Sequence, residues 1–464
     1  MFISSLWHVL HVRSSTSFLT SNHPSPSSVP LKDWPRWHLP ASNPPSIAFP
    51  PELLTIVFAF FRDDASATMV ALLTALSHVC SLWCTVCVGA PTLWDDVCLN
   101  RHTSKPRRMS KILSRSGSLP LTVTVDMTMK PRRSRGSAFA FGPLTQVRDR
   151  LTRMVLALDR GDVVEHTSPN PEFPKLSSLD ITMSYADAPS QLAPVMLGFR
   201  HSPSLRSFAL MVYGNMITTL GLQLPGFHWG SLTSLSLSIP VAAVKFYDIL
   251  IQCPLLENCS LAHIKATNTG DMRLRPVHTM HRLKSLEWTI GHSGDTLLNH
   301  FIRPRLSSLT VFGISPYVIH ILFNLHQRSD FQLVRLKLSL GGCGLDEVVR
   351  FIRHFPLLQT LELREIDWCT ENPLFFRVFQ CKTEPFAGQP PPPNFEHLSL
   401  EHLSTLAVGN DSYGLDGEAL LLMIKSLMRN RGGESVPFPS IRRVELYLSG
   451  KAFSDGVEEE LGRL

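Results

Sequence analysis

The sequence predicts an α/β chain in two parts. A small helical unit stands near the amino end, and an irregular solenoid follows, with parallel strands on its concave face and helices outside. Three observations carry that expectation. An apolar-x-x-apolar-x-apolar skeleton recurs down most of the chain. Amphipathic stretches at helical spacing separate the recurrences. Upstream of them, residues 50–88 carry apolar residues at helical spacing, opened by two prolines.

The recurring pieces, in order, are FPKLSSLDI, SPSLRSFAL, WGSLTSLSLSI, CPLLENCSL, MHRLKSLEW, RPRLSSLTV, FQLVRLKLSL, FPLLQTLEL, PNFEHLSL and FPSIRRVELYL. Their first apolar positions are Leu176, Leu205, Leu232, Leu256, Leu283, Leu306, Leu333, Leu358, Phe395 and Ile441. The spacing is 23–29 residues as far as Leu358 and then lengthens. Such a skeleton at such a period is the leucine-rich-repeat signature. The last two apolar positions alternate along a strand, so both side chains point inward. The first lies one turn earlier and closes the coil. One strand with one helix cannot bury its own apolar face, but stacked copies can.

The helical pieces between strands are VAAVKFYDILIQ, DTLLNHFI, YVIHILFNLHQ, LDEVVRFIRHF and GEALLLMIKSLMRN. LPLTVTVDM and LTRMVLALD read as degenerate first repeats. The Asn that usually ends the strand consensus is mostly missing, so the coils are irregular. The insert before Phe395 contains AGQPPPPN and reads as a projecting loop with polyproline character.

Residues 1–46 are rich in Ser and Pro and keep no period, so disorder is expected there. Pro50 and Pro51 suit the entry to a helix, where a missing N–H costs nothing. Glu52 favours the positive helix end. Leu53, Ile56, Val57 and Phe60 recur at helical spacing. A second continuous helix is expected to carry Leu72, Leu76, Val79 or Cys80, Trp83 and Val86 on one side, ending through Gly89 and Pro91. A unit of roughly 50 residues cannot bury all this apolar surface alone, which leaves some of it for a partner.

The stretch FPPELLTIVFAFF, followed by LSHVCSLWCTVCVGAPTLWDDV, resembles the F-box of the large mushroom-fungus family of F-box proteins. The usual pattern there is Leu-Pro-Pro-Glu-Leu-Leu, then Ser-His-Val-Cys with a Trp three residues on, then Pro-x-Leu-Trp. Phe49 stands where Leu is usual, and Cys84 where a basic residue is common. The resemblance covers about an eighth of the chain. It implies a helical module that docks onto a Skp-type adaptor and, through it, a cullin–RING ubiquitin ligase. The positions it points to as adaptor-binding are Pro50, Pro51, Leu53, Leu54, Ile56, Val57, Val79, Trp83, Leu93 and Trp94. Some of these must form the module's own core, Trp83 first among them.

Composition narrows the alternatives. With 44% hydrophobic and 18% charged residues the chain is globular, and no apolar run reaches the ~20 residues of a membrane span. The first residues have an apolar run but no positive start or nearby small-residue cleavage site, so no secretory signal is expected. Nine cysteines, irregularly placed, suit free thiols in a reducing compartment. The net charge of +6 is concentrated: residues 101–135 hold ten Lys or Arg and one acid, Asp126. KPRR at 105–108 and KPRRSR at 130–135 suit a split nuclear-import signal or a solvated loop. No aromatic residues interleave them, so nucleic acid is not the expected partner.

His78, Cys80, Cys84 and Cys87 suggest zinc, but one helix carrying all four, with no second pair, reads better as packing. Cys253 and Cys259 fall at core positions of a coil. No phosphate-cradling Gly loop, GxSxG elbow or His-Glu-x-x-His helix is present, so no catalysis and no cofactor are expected.

The organisation expected is a disordered tail over 1–46, an F-box over 47–100, a basic linker with a degenerate first repeat over 101–145, and a leucine-rich-repeat-like solenoid over 146–464. The function expected is an intracellular, cytoplasmic or nuclear, non-catalytic adaptor that holds a protein substrate near a ubiquitin ligase. Rival readings are a non-ligase binding scaffold on the same solenoid and an enzyme with an unrecognised site. No small-molecule substrate and no membrane are expected.

Overall fold

The computed structural model divides the chain into two units, Met1–Phe49 and Pro50–Leu464. It describes residues 50–64, 69–100, 105–128, 138–140, 142–158, 163–165, 172–184, 195–213, 227–239, 242–262, 272, 275–290, 295–313, 317–340, 345–364, 403, 405–410 and 443–448. The tail expected to be disordered over 1–46 lies outside them.

The second unit is α/β. Its frame is one sheet of 13 parallel strands that follow one another in chain order. These are β1 (Asp96–Asn100), β2 (Leu121–Asp126), β3 (Leu151–Leu158), β4 (Ser178–Ser184), β5 (Ser207–Tyr213), β6 (Ser234–Ser238) and β7 (Asn258–Ala262). They continue as β8 (Ser285–Ile290), β9 (Ser308–Gly313), β10 (Arg335–Leu340), β11 (Thr360–Arg364), β12 (Thr405–Asn410) and β13 (Arg443–Leu448). A purely sequential parallel order means each strand-to-strand connection leaves the sheet and returns one place further on. That is the topology of a stacked coil.

The register explains why the skeleton folds this way. One continuous column runs Val97, Val123, Met154, Leu179, Phe208, Leu235, Cys259, Leu286, Leu309, Leu336, Leu361, Leu406, Val444. A second runs two residues on, from Leu99 and Val125 through Leu261 and Trp288 to Val408 and Leu446. From β1 to β11, every member of both columns is buried. The first apolar positions, Leu176 through Leu358, are buried too, so all three marks of the skeleton face one core.

Most of the regular coils enter their strand through the same turn. The N–H of the first apolar residue donates to the carbonyl three residues back, as in Leu176 to Phe173, Leu205 to Ser202, Leu256 to Cys253, Leu306 to Arg303 and Leu358 to Phe355, at 3.1–3.3 Å. Pro follows that acceptor residue in all five, fixing φ at the second position of the turn. One residue past the first apolar position, coils are stitched together. Ser177, Arg206, Thr233, Glu257, Lys284, Ser307, Val334 and Gln359 each donate a backbone N–H one coil back, at 2.8–2.9 Å. These links use only backbone atoms, which allows the side chains there to vary.

The described helices are α1 (Pro51–Asp64), α2 (Met69–Ser77), α3 (Ser81–Gly89), α4 (Pro106–Arg115), α5 (Ala243–Leu250), α6 (Val318–Ser329) and α7 (Leu345–Ile352), with short turns at Gly142–Thr145 and Asp295–Leu298. Helix α6 buries Val318, Ile321, Leu322 and Leu325, a helical stripe, into the same cluster as the strand columns. It stops at Asp330, whose left-handed φ of 47° closes the C-terminus by donating its N–H to His326.

Four expectations need correction. The helix expected to run from Leu72 to Val86 is two helices: His78 and Val79 turn, and Cys80 is extended with φ −159° and ψ 171°. The sheet starts at Asp96, inside the 47–100 stretch assigned to the helical module. Within the 101–145 stretch, expected to hold a basic linker and a degenerate first repeat, the basic KPRR lies at the entry of helix α4, ahead of the strand β2 that the repeat forms. The strand beside β11 is β12, entered from the buried Leu403, not a strand entered from Phe395. Phe395, the Pro-rich insert and the stretch GEALLLMIKSLMRN lie outside the described residues. The other helical pieces and both degenerate repeats form the elements expected of them, except that DTLLNHFI makes one helical turn and then a short strand at Phe301–Ile302.

Candidate docking surface

Helix α1 begins where the proline pair places it. Pro50 supplies the capping carbonyl, accepting from the N–H of Leu53 at 3.0 Å and of Leu54 at 3.2 Å. Pro51 takes the first helical position, where it withdraws no bonded N–H. The helix then carries two apolar stripes rather than one. Leu54 and Phe58, one turn apart, are 4% and 1% exposed, and Phe58 meets Trp83 of α3 edge-to-face at 5.1 Å. Leu53, Ile56, Val57 and Phe60 are spaced i, i+3, i+4, i+7 and are 49%, 64%, 44% and 67% exposed. A stripe with that spacing is what a core-facing helix surface looks like. Here it faces outward.

The other expected positions divide. Val79 is 60% exposed, and Leu82 and Val88 of α3 are exposed as well. Pro50 and Pro51 are exposed at the helix entry. Trp83 is half-buried and packs on the core, as expected. Leu54, Leu93 and Trp94 are sealed inside the chain, so their role is to build the unit, not to touch a partner. The indole Nε1–H of Trp94 donates to the Cys87 carbonyl at 2.6 Å, and the Arg115 guanidinium lies 4.6 Å from its ring centre. Trp94 also opens the first coil: Trp94-x-x-Val97-x-Leu99 matches the repeat skeleton, and all three are buried. Phe60, Leu82 and Val88 complete the exposed apolar set. Spacing alone signalled Phe60, and nothing local signalled the other two.

The zinc candidates are not gathered. His78, Cys80 and Cys84 are exposed, whereas Cys87 is buried. Burial first, then the neighbouring Cys84, pushes the Cys87 thiol up to about 11. Among the described residues no group of three or more His, Cys, Asp or Glu is placed to hold a metal. Cys253 and Cys259 are core residues, and burial pushes both thiols up to about 12.

The basic stretch is a helix face. Met109, Ile112 and Leu113 turn α4 into the core, leaving Arg107, Arg108 and Lys111 outside. KPRRSR lies outside the described residues. Among the described residues no helix is long and apolar enough to cross a membrane.

The polar face of the sheet is built from residues alternating with the buried columns. In one register line stand Asp180, Ser236, Ser260, Glu287, Thr310, Lys337 and Glu362. Its charges pair across strands. Arg153 reaches Asp180 at 2.9 Å and Lys337 reaches Glu362 at 3.0 Å, while Arg364 contacts that carboxylate from the same strand. The middle strands present small hydroxyl residues, Ser234, Ser236, Ser238 and Ser260. Parallel sheets are normally covered on both faces; on this face the line is half-buried to exposed, and Ser339 beside it is buried.

No protein-family model matches the chain, and no curated protein matches it. A crystal structure of a Bacteroides fragilis protein is similar at 15% identity and a TM-score of 0.39, over 58% of this chain and 75% of that one.

Proposed function

We propose that this chain is a non-catalytic adaptor that joins a protein substrate to an SCF-type cullin–RING ubiquitin ligase. In this reading α1–α3 are an F-box and the sheet with its helices is an irregular leucine-rich-repeat solenoid. The α1 stripe Leu53, Ile56, Val57 and Phe60 docks on a Skp-type adaptor, with Val79 as a further contact. The polar sheet face takes a protein substrate. The chain makes and breaks no bond; it raises the substrate's effective concentration beside the transfer machinery.

One observation supports the reading above the rest: α1 keeps an exposed apolar stripe at core spacing while its opposite stripe anchors it. The four exposed side chains present roughly 400 Å² of apolar surface, or about 10 kcal/mol at ~25 cal/mol per Å², before association costs. A patch of about this size is the kind that is often functional on a monomer, and the α1 stripe is one part of the larger area a stable interface buries.

The test is co-purification of the full chain with a Skp-type adaptor, wild type beside Leu53→Asp, Ile56→Asp and Leu54→Asp. Burying the introduced carboxylate and losing one anchor costs Leu53→Asp about 2 kcal/mol or more, roughly 30-fold in affinity, with thermal stability unchanged. Leu54→Asp behaves differently: it unfolds the module by placing a charge in the core. A wild-type chain that captures no adaptor, or a stably folded Ile56→Asp chain that captures it undiminished, refutes the docking and leaves a plain binding scaffold.

A further inference from the structure

The residues that accept the three-residue entry turns form their own buried column. Phe173, Trp229, Cys253, Met280 and Phe355 occupy it, all apolar and at most 6% exposed, and at the coil of Leu205 it holds the small, uncharged Ser202, 1% exposed. At one coil the occupant is Arg303, 1% exposed. Its place in the turn is ordinary, since Leu306 N–H donates to its carbonyl and its own N–H donates to Ser329 Oγ at 3.0 Å. Its guanidinium is not: Nε and Nη1 are buried with no protein partner, and the cation lies 5.3 Å from the Phe301 ring centre.

A guanidinium cannot escape this by losing its proton. Burial lowers its pKa to about 10, with the nearby Arg328 pushing the same way and Cys259 opposing, so the group stays charged near neutrality. The adjoining Cys259 offers no counter-charge, because its own thiol is pushed up to about 12. A second cation stands close by. Arg328, exposed at the end of α6, donates Nη1 to Asn299 Oδ1 at 3.3 Å and Nη2 to the Leu298 carbonyl at 3.2 Å. Among the described residues no carboxylate pairs with either arginine. A buried, permanent charge with unmet donors is far more costly than an apolar residue in the same slot, and Met280 in the preceding coil shows that an apolar residue fits.

The geometry points to an anion site: Arg303 is its buried floor and Arg328 its mouth, and together they take a phosphate-sized inorganic oxyanion. Two guanidiniums supply planar donor forks suited to tetrahedral oxyanions, and Phe301 holds the inner one in orientation. The anion adds the negative charge the coil lacks, so its binding stabilises the fold rather than performing chemistry. The site is independent of the adaptor reading.

The experiment follows thermal unfolding of the full chain against inorganic phosphate, at fixed ionic strength balanced with gluconate. Wild type is expected to show a saturable rise of roughly 2–4 °C at about a hundred times Kd. Sulfate gives a similar rise, since the chemistry read is that of an oxyanion. Arg328→Gln, an exposed change, weakens the phosphate response at least about tenfold while leaving the fold intact. Arg303→Met removes the saturable part and keeps only the general stabilisation that phosphate gives any protein. If Arg303→Met does not fold, Arg328→Gln decides alone. No saturable phosphate effect in wild type, or an undiminished one in Arg328→Gln, overturns the proposal.

Discussion

Replacing Trp94 by Ala tests whether the helical module and the first coil are one cooperative structure. Trp94 is fully buried, opens the first coil, donates to the α3 carbonyl of Cys87 at 2.6 Å and carries Arg115 4.6 Å from its ring centre. Losing the ring from a core costs about 3–5 kcal/mol. The Cys87 carbonyl lies in the last turn of α3, where no intrahelical donor follows, and leaving it unmet adds about 1–3 kcal/mol. The sum exceeds what one terminal coil can spare, because coils contact only their neighbours. The damage should therefore stay local. In urea, followed by far-UV circular dichroism, Trp94→Ala should split unfolding in two, with α1–α4 and β1–β2 melting first. The early step should have a smaller urea dependence, since less surface is exposed in it. Trp94→Phe keeps most of the burial and loses the hydrogen bond, so it should cost only about 1–3 kcal/mol with no split. A single transition at the wild-type midpoint for Trp94→Ala would refute the coupling. Equal damage from Phe and Ala would refute the packing estimate.

Two further outcomes follow from buried titratable groups. Burial, then the charge of His354, lowers the pKa of His326, against weaker opposing effects of Asp330 and a Phe331 backbone hydrogen bond. Its ring sits 4.9 Å from Phe355, 5.1 Å from Phe331 and 5.5 Å from His354, with Nδ1 buried and no protein partner. A histidine with a depressed folded pKa binds fewer protons folded than unfolded, so its contribution is fully present above its unfolded value of ~6.5 and lost as pH falls towards the folded one. Melting temperature should drop between about pH 7 and 5 in wild type and drop less in His326→Phe; identical slopes would count against this. Thiol alkylation at pH 8, mapped by mass, should label exposed Cys80 and Cys84 in the native chain and spare Cys253 and Cys259 until denaturant is added. Rapid native labelling of Cys259 would contradict its burial.

The coils were legible because their rule is short-range. An inward pair two residues apart, preceded by an apolar residue at a turn, is enough to set register against the next coil, and nothing distant is needed. Where that rule was overlooked, competing signals hid it. Trp94-x-x-Val97-x-Leu99 was absorbed into the helical motif that ends at Trp94, although the same residue serves both. Leu403-x-x-Leu406-x-Val408 stands eight residues behind a second match at Phe395, and only pairing with β11 picks the strand. At β2 the skeleton is one residue short, Leu121 taking the first place, and the register shifts between Leu121 and Thr122 to absorb it.

The candidate docking surface was legible only in part, for a different reason. Helix α1 has apolar residues around its circumference, and local spacing cannot say which stripe faces home. Leu54 with Phe58 and Leu53 with Val57 are both one-turn pairs. The choice falls to Trp83, which meets Phe58 from α3, and to the first coil, which seals Leu93 and Trp94. These partners lie some 25 to 40 residues along the chain. The same reasoning separates Arg303 from its neighbours. In sequence it is one Arg among many beside a proline, and only the alignment of entry turns puts it in a column whose other occupants, Phe, Trp, Met, Cys and one Ser, are uncharged. In a stacked chain, then, the repeat tells which residues must be buried. The departures from it, an apolar stripe left outside and a charge taken inside, are where binding should be sought.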